Sequence, residues 1–277
     1  MQTASTATHQ VLKLKHLPPL SSTAARLLEL LADEDLSLEL LSNVISQDPG
    51  ISARILGVAN SAYFGQTSPI HSVEEAVIRV LGLNMVRSLS FSLAISGSFD
   101  TSRCHGFDLE AYWYHALATA ALSRMICRHM VPDEQPDQDG IYLAGLLFDI
   151  GVLVLVHLFP EDYANVLHKY TGGPLKELSK QEEDLVGISS REAGGWILDR
   201  WHLPTMVVRV VRQVSNDTAS ETALVGMADL WVNHGFEDDQ SITRDLLGVS
   251  GKDVELIQAE FLHQADEIRT VASLLAK

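Results

Sequence analysis

Apolar positions along this chain recur at helical spacing in nearly every segment and show no sustained alternation. Ala25, Leu27, Leu28 and Leu31 give the apolar face of a first helix, which Ser21 or Ser22 can cap. Leu38, Leu41, Val44 and Ile45 give a second, capped by Ser37. Asp48-Pro49 closes that helix and opens a third, which carries Ile51, Ile55, Leu56 and Ala59 and finishes near Asn60-Ser61. Asp is a strong N-cap, and Pro suits the first helical position because the N–H it lacks would have no partner there. Ser72-Val-Glu-Glu75 reads as a capping box, Gly82 as the stop of the helix it opens, and a fifth helix is predicted from about Leu83 to Ile95.

The polar, Gly-containing stretch Gly97 to Asp108 reads as a linker, and Asp108 caps a long helix reaching about Met130. Beyond the Pro- and Asp-rich loop Pro132 to Asp139, a single apolar helix is predicted over 140–158. Pro160 opens a short helix, Thr171-Gly-Gly-Pro174 makes a turn, and helices are expected near 190–201 and 204–214. Ser220 caps the helix that holds Asp229, and Ser250 caps a last one to about Ala276, with Asp253 and Glu255 placed to suit its dipole. Nothing reads as a strand or as a solenoid repeat. The predicted fold is all-α: a flexible N-terminus over 1–14, a helical subdomain over 15–108, and a second helical body over 109–277.

Charge narrows the function classes. The 277 residues hold 36 acidic and 20 basic side chains, a net −16, with 46% hydrophobic residues. So apolar a chain can bury a real core, which excludes a largely disordered protein. The acidity argues against nonspecific nucleic-acid binding, which needs surplus Lys and Arg. Residues 33–60 contain Arg54 against five acids, so the helix pair around Asp48-Pro49 is poorly charged for a DNA-binding helix-turn-helix. Cys104 and Cys127 match no metal or redox spacing and are expected as buried thiols in a reducing cytoplasm. Met1 to Gln10 lacks the basic start and apolar core of a secretory signal. The stretch from Ile141 to Phe159 is long enough to suggest a membrane span, but Asp149 near its middle and His157 near its end favour a buried core helix. A soluble, cytoplasmic protein is expected.

Three residues stand out as candidates for chemistry: His115 beside Tyr112, Trp113 and Tyr114, Asp149 in the most apolar helix, and Asp229 in Val225-Gly-Met-Ala-Asp-Leu-Trp231. Each has an ordinary structural explanation. A buried acid must nevertheless be paired, hydrogen-bonded or metal-bound, and one His with two Asp could converge into a metal site. Asn60-Ser61, beneath a loop with Tyr63, Phe64 and Gly65, reads as a loop anchor or as a recognition element. Trp113, Trp196, Trp201 and Trp231 read as core fillers.

Leu17-Pro-Pro-Leu20, Gln47-Asp-Pro49, Leu56, Ala59-Asn-Ser61, Ile70, Ser72 and Ala76 through Leu81-Gly82 together resemble the HDOD family, degenerate relatives of the HD metal-dependent phosphohydrolases. Ala144-Gly-Leu-Leu-Phe-Asp-Ile-Gly151, with Gly145 and Gly151, looks like the family's GLLHDIG segment, and Trp201-His-Leu-Pro204 like its W-x-LP segment. The resemblance covers about residues 15–235. It implies that His115, Asp149 and Asp229 occupy three ligand positions of an HD metal site, that Phe148 replaces the His of the His-Asp doublet, and that Ser190 and Val214-Ser215 stand where larger clusters add histidines. No bound metal and no cofactor are therefore expected.

The reading is of a non-catalytic bacterial signalling or regulatory module that works through contact with another signalling protein, of unknown identity, with neither nucleic acid nor membrane as partner. A metal-dependent phosphohydrolase with a reduced ligand set, and a pocket that senses a nucleotide without cleaving it, are the alternatives. Arg124, Arg128, Arg191, Arg200 and Arg209 could reach Asp149 only through the fold. A buried polar cluster of His115, Asp149 and Asp229 is the geometric expectation.

Overall fold

The computed structural model describes residues 19–31, 33, 35–61, 64–65, 68–169, 175–213, 220–236 and 247–277. Among these residues the chain is all-α, with no strand. The N-terminal stretch 1–14, Leu17 and Pro18, Tyr63, the turn 171–174 and Val214-Ser215 lie outside the described residues.

In the N-terminal part, α1 (Ser22–Leu31), α2 (Leu38–Ser46) and α3 (Pro49–Ala59) follow one another with short connections. Each start is fixed by a side-chain acceptor. Ser21 Oγ takes the Ala24 N–H, Ser37 Oγ takes that of Leu40, and Asp48 Oδ1 takes those of Gly50 and Ile51, with Pro49 at the first helical position. Asn60 ends α3 and holds the following loop. Its amide donates to the carbonyls of Leu56 and Ile70, both at 2.9 Å, and its Oδ1 accepts the Ile70 N–H at 2.8 Å. Ser61 is buried and donates to the Val58 carbonyl. Both residues are spent on backbone.

Ser72 caps α4 (Val73–Ala76), while the Glu75 carboxylate reaches back to the His71 N–H. α4 widens into a π-turn over Val77–Leu81, and Gly82, at φ 77°, turns the chain straight into α5 (Leu83–Ser96). That left-handed φ is open to Gly at little steric cost.

The second part is organised around α6 (Leu109–His129), capped by Asp108. It packs against α7 (Gln138–Leu147), against α13 (Ser220–His234) and against α14 (Gly251–Leu275). Between them run α8 (Ile150–Leu158), α9 (Pro160–Lys169), α10 (Leu175–Leu185), α11 (Ser190–Arg200) and α12 (Thr205–Arg212). The two parts are joined by packing of α5 on α7 and of α14 on α3, and Asn84 at the start of α5 donates to Asp139 at the start of α7. Trp113 and Trp231 are core residues, and Trp201 closes α11 and packs on Phe99 of the linker. Leu203 then bonds back to the Leu198 carbonyl, and Pro204 begins α12. Both cysteines are buried.

Two expectations need correction. The helix predicted over 140–158 is two helices, broken at Phe148-Asp149. The break turns the Asp149 carboxylate towards α6 and frees the Phe148 carbonyl, which Arg191 of α11 takes as acceptor. Asp149 therefore sits at a helix junction rather than mid-helix. The stretch Gln138–Leu158 is apolar and long enough to cross a membrane by those criteria, and 78% of its apolar window is buried inside the protein. The second correction is α10, absent from the sequence reading because, apart from Leu175, Leu178 and Leu185, its sequence is charged or polar throughout.

Gly145 and Gly151 have packing roles. A Cβ on Gly145 would lie 2.6 Å from Ala120 Cα, and one on Gly151 would lie 1.8 Å from the Ser190 carbonyl oxygen. Gly151 thus lets α8 run against α11, with Gly194 facing it. Because the opposing atoms are backbone, Gly151→Ala is expected to lower the unfolding free energy by at least about 3 kcal/mol, the upper range of overpacking costs. Asn60→Ala, which orphans loop groups at the surface, is expected to cost about 1 to 2 kcal/mol. Urea denaturation of both variants checks the order.

Candidate functional site

His115 of α6, Asp149 at the α7–α8 break and Asp229 of α13 meet in one place. One ligand atom from each lies within 4.8 Å of the others. His115 Nδ1 is 2.7 Å from Asp149 Oδ2, and its Nε2 is 3.4 Å from Asp229 Oδ1. Neither ring nitrogen is aligned as a hydrogen bond, so the contacts are those of an ion pair.

A fourth member comes from α11. Arg191 Nη2 lies 3.0 Å from Asp149 Oδ1 and 3.8 Å from Asp229 Oδ1. Its Nη1 donates to the Phe148 carbonyl, and the guanidinium lies over the Phe148 ring, 3.6 Å from the centroid. Phe148 is therefore the platform on which the guanidinium rests. Cations favour the π face of an aromatic ring.

Electrostatics follow from burial. Desolvation alone would lower the His115 pKa, but Asp149, aided by Asp229, overrides it and raises it to about 9. Burial would raise the Asp149 pKa, yet Arg191 and then His115 hold its carboxyl well below the usual range. Asp229 is fully buried and goes the other way. Desolvation pushes it up to about 6 against the pull of Arg191, with Asp149 adding to the rise. Asn233 donates to the Asp229 backbone carbonyl and, at 3.4 Å, to its Oδ1, while Oδ2 has no hydrogen-bond partner. The two carboxylates share two cations unequally, and Asp149 keeps the better share.

Ser190 does not face these groups as a ligand. Its N–H and hydroxyl both donate to Glu182 Oε2, at 2.8 and 3.0 Å, and Tyr163 donates to Oε1 at 2.9 Å. Glu182 is fully buried; burial pushes its pKa up against these hydrogen bonds. It sits on α10, so missing that helix meant missing this residue. The network anchors the start of α11 immediately before Arg191. Outside the cluster, Asp48, Pro49, Asn60, Ser61, Gly82, Trp201 and Pro204 are all distributed through caps and turns and do not converge on it.

A cavity of about 360 Å³ opens beside the cluster. His115 and Asp149 stand at its edge with Tyr112, and Phe107, Val152 and Leu167 supply apolar wall.

The chain matches the HDOD domain over residues 17–216. It belongs to the HDOD family. A crystal structure of a Marinobacter aquaeolei VT8 protein assigned to signal transduction resembles it with a TM-score of 0.84 at 24% identity, covering 100% of this chain and 67% of that one. A Shewanella amazonensis SB2B protein assigned as a phosphohydrolase gives 0.75 at 22% identity, covering 96% and 97%. An HDOD domain protein of unknown function from Geobacter sulfurreducens gives 0.73 at 24% identity, covering 98% and 97%. At these identities the structures establish a shared HD-like helical fold. An uncharacterised Treponema pallidum (strain Nichols) protein is 25% identical over 216 residues, which are 76% of this chain and 40% of that protein. The HDOD chain thus spans less than half of that relative.

An HD fold implies a metal, and the donor set tests the fit. The imidazole and two carboxylates are suitable ligands. The two carboxylates are, however, already paired with the Arg191 guanidinium, and Phe148 beside Asp149 offers no donor atom. A divalent ion does not fit these residues as they stand.

The pKa directions set a pH dependence. His115, raised from 6.5 to about 9, contributes stability that is fully present below pH 6.5 and lost as pH rises through about 9. Asp229, raised from 3.8 to about 6, contributes stability that is present below pH 3.8 and lost as pH rises through about 6. Asp149, lowered, contributes stability present above pH 3.8 and lost on further acidification. Unfolding free energy is therefore expected to fall between pH 6.5 and 9, by at most about 1.4 kcal/mol per pH unit for one group. In His115→Gln that fall should be markedly smaller. Urea titrations at the two pH values check it.

Proposed function

We propose that this HDOD chain is a non-catalytic regulatory module of a bacterial cytoplasm, which acts by contact with a separate signalling protein. The observation that carries this reading is the guanidinium of Arg191 seated on Phe148 and paired with Asp149 and Asp229. Metal-assisted hydrolysis needs an open coordination position at which water is activated. Here the ligand-type residues are engaged with side chains of the same chain. The helices that once served a metal then serve as a rigid body, and function moves to the protein surface. The signal-transduction assignment of the Marinobacter relative, which shares the fold, agrees with this reading. The net −16 disfavours nucleic acid as the partner.

A second reading has its own observation. The cavity beside His115 and Asp149 is large enough for a small ligand, and its apolar wall with a few polar groups at one edge is the usual build of such sites. It could report a nucleotide without cleaving it.

Turnover separates the enzymatic alternative. Purified protein, incubated with Mn²⁺, Zn²⁺ or Mg²⁺ and with nucleoside phosphates or cyclic dinucleotides, is expected to show no hydrolysis above a His115→Ala control. Metal-dependent hydrolysis lost in that control would overturn the proposal. Calorimetry with the same nucleotides tests the sensing alternative, and co-purification from the native cell with mass spectrometry seeks the partner.

A further inference from the structure

We infer that Arg191 is a resident cation at the position of a metal ion, and that the centre formed by His115, Asp149 and Asp229 is a divalent-metal site closed by its own chain. This goes beyond the regulatory reading, since such a site could be open or closed in a regulator.

Asp149 and Asp229, the two carboxylates an ion would need, each turn Oδ1 towards Arg191 Nη2, at 3.0 and 3.8 Å. With ligand atoms of the three residues within 4.8 Å of one another, an ion held between them would share both carboxylates with Nη2. Two cations in one poorly solvated space repel strongly, so binding requires the arginine to leave.

Arg191 is poorly placed to leave. Its Nη1 bonds the Phe148 carbonyl freed by the helix break, and its plane lies on the Phe148 ring. Ser190, one residue earlier, is tied twice to Glu182, and α11 is pressed on α8 through Gly151 and Gly194. The replacement of imidazole by phenyl and the arrival of the arginine act as one change. The phenyl removes a ligand and supplies the face on which the guanidinium lies.

The remaining carboxylate atom points the same way. Asp229 Oδ2 is buried with no hydrogen-bond partner, while His115, Arg191 and Asn233 all meet the other oxygen, so one ligand-type atom of the site stays unserved. The ligand class that would take the opened site is a divalent transition ion tolerant of mixed N and O donors, such as Mn²⁺ or Zn²⁺.

The test is equilibrium dialysis of chelator-treated protein against Mn²⁺ and Zn²⁺, with elemental counting and circular dichroism. Wild type is expected to hold no ion that depends on His115. Arg191→Met should gain affinity by about 10- to 100-fold, the scale on which groups around a metal's ligands change its binding. Arg191→Met with Phe148→His should gain more, and adding Asp229→Asn should abolish the gain. One ion per wild-type chain that disappears in His115→Ala would overturn the inference, while absence of turnover in the same sample would leave the regulatory reading intact. A folded Arg191→Met that gains nothing would also overturn it. If Arg191→Met folds only when the ion is supplied, recovery of helicity supports the assignment. A variant still unfolded at millimolar ion sinks it.

Discussion

Charge taken out of water must be balanced by charge or hydrogen bonds close by, and the second half of this protein is arranged around that constraint. Asp149, Asp229, His115 and Arg191 arrive from four different parts of the chain, so no one of them can be buried favourably until the helices that carry the others are in place. The cluster ties α6, the α7–α8 break, α11 and α13 to one another. Such an arrangement is not a large source of net stability, because desolvation takes back much of the Coulomb attraction. It is costly to disrupt, which favours one register of these helices over near neighbours.

The helical class was legible because caps and apolar stripes agree along most of the chain. Ser37, Asp48, Ser72, Asp108 and Ser250 each bond the backbone groups that their positions suggest. The convergence of His115, Asp149 and Asp229 was also legible, through resemblance rather than spacing, since residues so far apart share no local pattern. What stayed hidden depends on tertiary contact. In the run from Gly140 to Leu158 the one break signal is Asp149 at an N-cap position, and its side chain makes no cap; the break is stabilised instead by Arg191 from outside that segment. Glu182 looks like any surface acid in a charged helix until Tyr163 and Ser190 are seen to enclose it.

The HDOD motifs divide by physical role. Asn60 stitches a loop to a helix end, Gly145 and Gly151 permit two close helix approaches, and Trp201 with Pro204 turns α11 into α12. These maintain shape and are indifferent to whether a metal is bound. Asp149, two residues before Gly151, is the point where this shape meets the charged cluster.

A covalently attached cation also changes how the fold answers to its surroundings. A bundle closed by a free ion is stabilised by mass action, so its folded fraction follows the ion's concentration and falls under a chelator or in starved cells. The guanidinium of Arg191 is carried on the polypeptide, at a local concentration set by the chain and not by the medium. A fold closed this way keeps the same shape in metal-rich and metal-poor conditions, because the charge that balances its carboxylates never leaves the chain.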